Sequence, residues 1–91
     1  MNNFLSYVYL YPLLKSNQTI AILGNDPLMG AWDATKAIAL NKIKGEQFFE
    51  ISLDLQAADF PLVYKYGVYD IVAKKLIEFE EGNNRMVNEP V

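Results

Sequence analysis

Trp32 is the one tryptophan of the sequence, and it stands in Gly30-Ala31-Trp32-Asp33, a turn-rich segment where a large ring is harder to hide than on a strand's inner face. An exposed indole presents a flat, negative π-face on which the axial C–H bonds of a glucose ring can stack. Packing of Trp32 into one end of the core is the competing reading, because tryptophan is usually mostly buried. A second candidate is Glu78-Phe79-Glu80-Glu81-Gly82-Asn83-Asn84-Arg85, in which an aromatic residue is followed by acids, a glycine, two amides and an arginine. Sugar hydroxyls both donate and accept hydrogen bonds, which suits the paired donors and acceptors of asparagine. The plainer reading of the same stretch is a β-turn with left-handed asparagines and acids that serve solubility. Glu78, Glu80 and Glu81 also raise acid–base chemistry at a glycosidic bond, which needs carboxyl groups flanking the scissile linkage. That chemistry is rejected: Glu78 and Glu80 fall on one face of a strand, Glu81 opens a turn, and so small a domain offers no deep cleft to raise a carboxyl pKa. No catalytic residue is assigned.

Positioning these groups falls to 91 residues, enough for one core, so residues 1–91 are read as a single domain. Apolar residues make up 52% of the sequence, and six Tyr, five Phe and one Trp supply bulk for a core without metals or crosslinks. The absence of Cys and His removes disulfides, thiolate nucleophiles, imidazole bases and the commonest zinc ligands. No cofactor or metal is expected. The net charge of −3, with scattered basic residues, excludes the basic stripe that a nucleic acid requires. Phe4 to Leu14 is apolar but lacks a basic leader and is interrupted by tyrosines and Pro12, so it reads as a strand rather than a signal peptide. No run reaches the roughly 18 apolar residues of a membrane-spanning helix.

Strand signals recur at short intervals. Phe4 to Tyr11 and Thr19 to Leu23 read as a pair of strands forming an opening hairpin, and Gly24-Asn25-Asp26-Pro27 carries turn chemistry throughout. Asp33 is placed to cap one helical turn through Ala37. Ile38-Ala39-Leu40 starts a brief strand, Lys44-Gly45-Glu46 makes a turn, and Gln47 to Leu55 alternates Phe49, Ile51, Leu53 and Leu55 against Glu50, Ser52 and Asp54. In Pro61 to Asp70, Leu62, Tyr64, Tyr66 and Val68 share the inner face, which points Lys65 outward. Strands at Lys75 to Glu80 and Arg85 to Asn88 bring the total to seven. The fold class is therefore all-β, an antiparallel, immunoglobulin-like sandwich.

The sequence resembles the starch-binding domains of carbohydrate-binding module family 20. Leu23-Gly24-Asn25, Gly30-Ala31-Trp32-Asp33, Ala37-Ile38-Ala39-Leu40, Tyr64-Lys65-Tyr66 and Phe79-Glu80-Glu81-Gly82-Asn83-Asn84-Arg85 carry the likeness, in the family's order and approximate spacing, from about Phe4 to Val87. The resemblance implies the same sandwich and a sugar site at Trp32, Lys65, Phe79, Glu80 and Asn84. Trp32 and Phe79 would form an angled platform for adjacent glucoses, with Lys65 and Asn84 donating to hydroxyls and Glu80 accepting from one. The family usually has Trp at the position of Phe79, which implies a smaller stacking area here. A second family site relies on loop aromatics; Ser16 and a short turn at Lys44-Gly45 replace them, with Phe48 a partial match, so that site is expected to be lost. The segment from Gly24 to Asp33 resembles modules of bacterial 4-α-glucanotransferases, implying a piece of a larger cytoplasmic enzyme whose catalytic domain lies elsewhere. The expected partners are that appended domain and α-glucans: starch, glycogen, maltooligosaccharides or cyclodextrin. The alternative is a structural or protein-interaction sandwich with a decayed sugar site.

Overall fold

The computed structural model describes residues 4–10, 14–42 and 48–89. Its strands in chain order are β1 (Phe4–Leu10), β2 (Gln18–Gly24), β3 (Ile38–Ala39), β4 (Asn41–Lys42), β5 (Phe48–Asp54), β6 (Leu62–Asp70), β7 (Lys75–Phe79) and β8 (Arg85–Val87). Two 3-10 turns, Pro27–Met29 and Ala34–Lys36, lie between β2 and β3. All pairings among the described residues are antiparallel. One sheet runs β1-β5-β4; the other runs β3-β2-β6-β7, with β8 also paired to β6.

Alternation sets the inner face wherever only one face of a strand is covered. Leu62, Tyr64, Tyr66 and Val68 of β6 and Phe49 and Ile51 of β5 are buried and point into the space between the sheets, while Glu50 and Ser52 are exposed. Tyr64 and Tyr66 meet edge to face at 5.8 Å between ring centroids. β2 departs from alternation: Ile20, Ala21, Ile22 and Leu23 are all buried. Ile20 and Ile22 belong to the main core, whereas Ala21 and Leu23 join Leu76, Ala34, Ala37 and Tyr69 in a second cluster on the outer face of the larger sheet. Coverage of both faces explains why this strand is an uninterrupted apolar run.

Two expectations are corrected by the topology. β1 and β2 do not form a hairpin: β1 pairs with β5 from Phe4↔Asp54 to Leu10↔Phe48, and β2 pairs with β6, so the chain crosses between sheets. Local turn chemistry cannot distinguish a crossing from a reversal. The brief strand expected at Ile38–Leu40 is instead two strands in different sheets, β3 on β2 and β4 on β5, with Leu40 buried at the corner and its N–H donating to Ile20 O at 2.8 Å. The expected turn at Lys44-Gly45-Glu46 and the end of the first strand at Tyr11 lie outside the described residues.

Candidate functional site

Trp32 owes its position to the backbone. Asp26 organises the preceding turn: its carboxylate accepts from Leu28 N at 2.9 Å and from Asp59 N at 3.0 Å, and its carbonyl accepts from Met29 N and Ala31 N. Gly30, Ala31 and Trp32 then follow with φ of 89°, 50° and 60°. The left-handed region costs a residue with a Cβ about 1–2 kcal/mol, so Ala31 and Trp32 are strained. The strain is held by Trp32 N donating to Gly24 O at 2.8 Å and Asp33 N to Gly30 O at 2.9 Å. Gly30 is also required by space, since a Cβ there would stand 2.6 Å from Lys36 O. Asp33 then caps the second 3-10 turn, as expected, accepting from Thr35 N and from the Thr35 hydroxyl at 2.6 Å. The Thr35 bonds hold the Asp33 pKa below the ordinary aspartate value. With Ala34 and Ala37 packed on the outer face, the Trp32 side chain stays 41% exposed.

The other members come from β6, β7 and the start of β8. Phe79 ends β7 directly opposite Gly67 and is 46% exposed. Lys65, half-buried, lies two residues before Gly67 on the same outer face of β6. Its ammonium donates to Glu80 O at 3.0 Å and to Gly82 O. Asn84 is exposed immediately before β8. Trp32, Lys65, Phe79 and Asn84 together line one open depression of about 360 Å³.

Glu80, the fifth expected residue, stands apart from these four. Its Oε1 accepts from Arg85 Nε at 2.8 Å and from Tyr66 N at 3.2 Å, and its Oε2 accepts from Arg85 Nη2 at 3.0 Å. Burial disfavours the charged form, but hydrogen bonds from Arg85 and Tyr66 N–H and the charges of Arg85 and Lys65 outweigh it, leaving the pKa below the ordinary glutamate value. A general acid for glycoside cleavage needs the opposite shift. Glu78 and Glu81 are exposed.

A second depression, of about 450 Å³, is lined by Asp26, Asp54 and Asp59 with Pro27, Leu28, Ala57 and Ala58. It presents carboxylates and no aromatic ring for a sugar to stack on. Ser16 is exposed in the turn before β2, and Phe48 is 37% exposed on β5, in the opposite sheet from Lys65 and Phe79.

Residues 8–91 match the family CBM_20, described as starch binding domain. The chain belongs to that family. As a starch-binding domain it is a non-catalytic module, which favours the sugar-binding reading over a purely structural sandwich. A 4-alpha-glucanotransferase (DPE2) of Oryza sativa subsp. japonica is 27% identical over 79 residues, 87% of this chain but 8% of that protein. The domain thus spans a small fraction of the length of that relative. Among solved structures, the family 20 module of a maltotetraose-forming amylase from Pseudomonas saccharophila superposes with a TM-score of 0.79 at 15% identity, covering 94% of this chain and 89% of that one. A family 15 glucoamylase from Hypocrea jecorina gives 0.76 at 20% identity, over 96% of this chain and 14% of that one. At these identities the likeness establishes a shared sandwich fold.

Arg85 escaped selection as a functional residue from sequence. The available signal was its charge opposite to Glu80 five positions earlier, across a glycine-containing turn.

Proposed function

We propose that this starch-binding domain holds an α-1,4-linked glucan in the depression between Trp32 and Phe79, keeping an attached glucan-active enzyme on its substrate. The observation that carries the reading is the pair of exposed rings sharing one open depression with Lys65 and Asn84. Each ring offers an apolar face to a glucose. Asn84 can both donate to and accept from hydroxyls, while Lys65, with two of its three protons directed at carbonyls, keeps one for the sugar. Glu80 holds its neighbours through Arg85 and Tyr66 N–H. An open depression suits the outer surface of a long chain better than an enclosed monosaccharide. Starch and glycogen share that surface, and maltoheptaose and β-cyclodextrin are soluble substitutes. The likeness to a 4-alpha-glucanotransferase supports an enzyme of that class as the appended partner, and the compartment proposed for it is the cytoplasm. Fractionation of cells expressing the full-length parent protein checks that compartment. The same proposal takes the family's second surface, where this chain has Ser16 and a partial match in Phe48, to be lost.

Isothermal titration with maltoheptaose and β-cyclodextrin tests the proposal. A saturable heat is expected for both, and Trp32→Ala should remove most of it. A millimolar Kd corresponds to about −4 kcal/mol, within reach of a shallow site. Absence of heat and of any tryptophan fluorescence change at millimolar sugar would sink the assignment.

A further inference from the structure

β7 and β8 share one edge of β6 without meeting along it. β7 pairs with Gly67–Asp70 and β8 with Leu62–Tyr64, which leaves Lys65 and Tyr66 between the two ladders. Glu80 fills the interval. Its backbone N–H donates to Tyr66 O at 2.9 Å, and its carboxylate stands in for a strand carbonyl by accepting from Tyr66 N–H. Arg85 clamps that carboxylate through two nitrogens, and its guanidinium lies 5.1 Å over the ring of buried Tyr66. The turn beyond Glu80 has no apolar anchor: residues 81–84 are exposed, and a Cβ on Gly82 would meet nothing within 4 Å.

We propose that Arg85 is a positioning residue for the glucan site, locking Glu80 and thereby fixing the segment that presents Phe79 and Asn84. The inference rests on the glucan-binding reading of that site. Arg85 is not among the residues lining the depression; it acts by removing freedom before the sugar arrives. Without the clamp, the Glu80 carboxylate turns to water and Tyr66 N–H loses its acceptor. Lys65 and the Glu80 N–H bond to Tyr66 O then hold the turn. A glucan must order the segment as it binds, and ordering several backbone and side-chain rotors lowers affinity by about tenfold.

Titration of the 91-residue chain with β-cyclodextrin, combined with amide hydrogen exchange, tests the proposal on wild type, Arg85→Ala, Arg85→Lys and Trp32→Ala. Arg85→Ala should raise Kd about tenfold and speed exchange at Tyr66 and Glu80, with Ile20–Leu23 as protected as before. Arg85→Lys keeps the charge but not the fork, and should fall between the two. A folded Arg85→Ala with wild-type Kd overturns the role. So does an affinity loss accompanied by uniformly faster exchange, the mark of global destabilisation. If Arg85→Ala does not fold, Arg85→Lys decides, and wild-type affinity and exchange in that variant overturn the role. The glucan reading fails separately, by wild type giving no binding or by Trp32→Ala retaining it, and the positioning role falls with it.

Discussion

Phe79 offers a prediction that runs in both directions. A phenylalanine side chain buries on the order of 200 Å² when fully covered, and with 46% of Phe79 exposed about 90 Å² is available to a ligand. One face of a glucose ring covers roughly 50 Å² of that, worth about 1.3 kcal/mol at about 25 cal/mol per Å². Stacking geometry adds about 0.5–1 kcal/mol, so Phe79→Ala should weaken glucan binding by about 2 kcal/mol, roughly thirtyfold in Kd. Phe79→Trp enlarges the platform by about 40 Å² and should tighten binding by up to about 1 kcal/mol, on the order of fivefold. Phe79 is exposed and borders the open depression, so the larger indole has room on that side without displacing the core. Competitive titration against β-cyclodextrin, with thermal melts to show that both variants are folded, gives the comparison. A folded Phe79→Ala that keeps wild-type affinity refutes the platform, and a Phe79→Trp that binds more weakly refutes the area argument.

The Glu80 clamp carries a pH signature. Because the folded-state pKa is lowered, the stabilisation is complete above the ordinary glutamate value of 4.5 and is lost as the pH falls through the lower folded-state value. Asp33 and Asp70 are lowered too and contribute with the same sign. Thermal melts should show wild type more stable than Glu80→Gln at about pH 6, with the gap closing toward about pH 3; a gap that widens on acidification contradicts the sign. Glycine substitution separates strain from collision. Gly30→Ala meets both a φ of 89° and a contact at 2.6 Å, whereas Gly82→Ala meets only a φ of 94°. Urea denaturation should give a loss of at least about 2 kcal/mol for Gly30→Ala against about 1 kcal/mol for Gly82→Ala, and equal losses would remove the collision from the account.

Sheet faces were legible where one side of a strand is wet. The alternation in β5 and β6 placed Phe49, Ile51, Leu62, Tyr64, Tyr66 and Val68 in the core and Lys65 on the outer face. The Asp33 cap was legible because its partner, Thr35, is two residues away. The pairing of β1 was not, because Phe4 meets Asp54, and nothing near Phe4 records a partner fifty residues distant. The exposure of Trp32 lay between these cases. Its glycine-rich surroundings pointed to a turn, but the residue leaves the core because three consecutive left-handed residues aim it there, a property of dihedral angles rather than composition. Family resemblance brought Trp32, Lys65, Phe79 and Asn84 to one depression and could not show that Arg85 had already engaged the carboxylate of Glu80.

The outer face of the larger sheet is only half roofed. Ala34 and Ala37 lie over Ala21, Leu23 and Leu76, and Trp32, just before them in the chain, marks the roof's edge where the depression begins. A glucan seated beside that edge would extend the same layer, so polysaccharide and polypeptide become adjoining tiles on one sheet. Seating it requires no parting of the two sheets. A pull on the seated glucan would then reach β6, which carries Lys65 and borders β2, β7 and β8, and so spread across the five-stranded sheet.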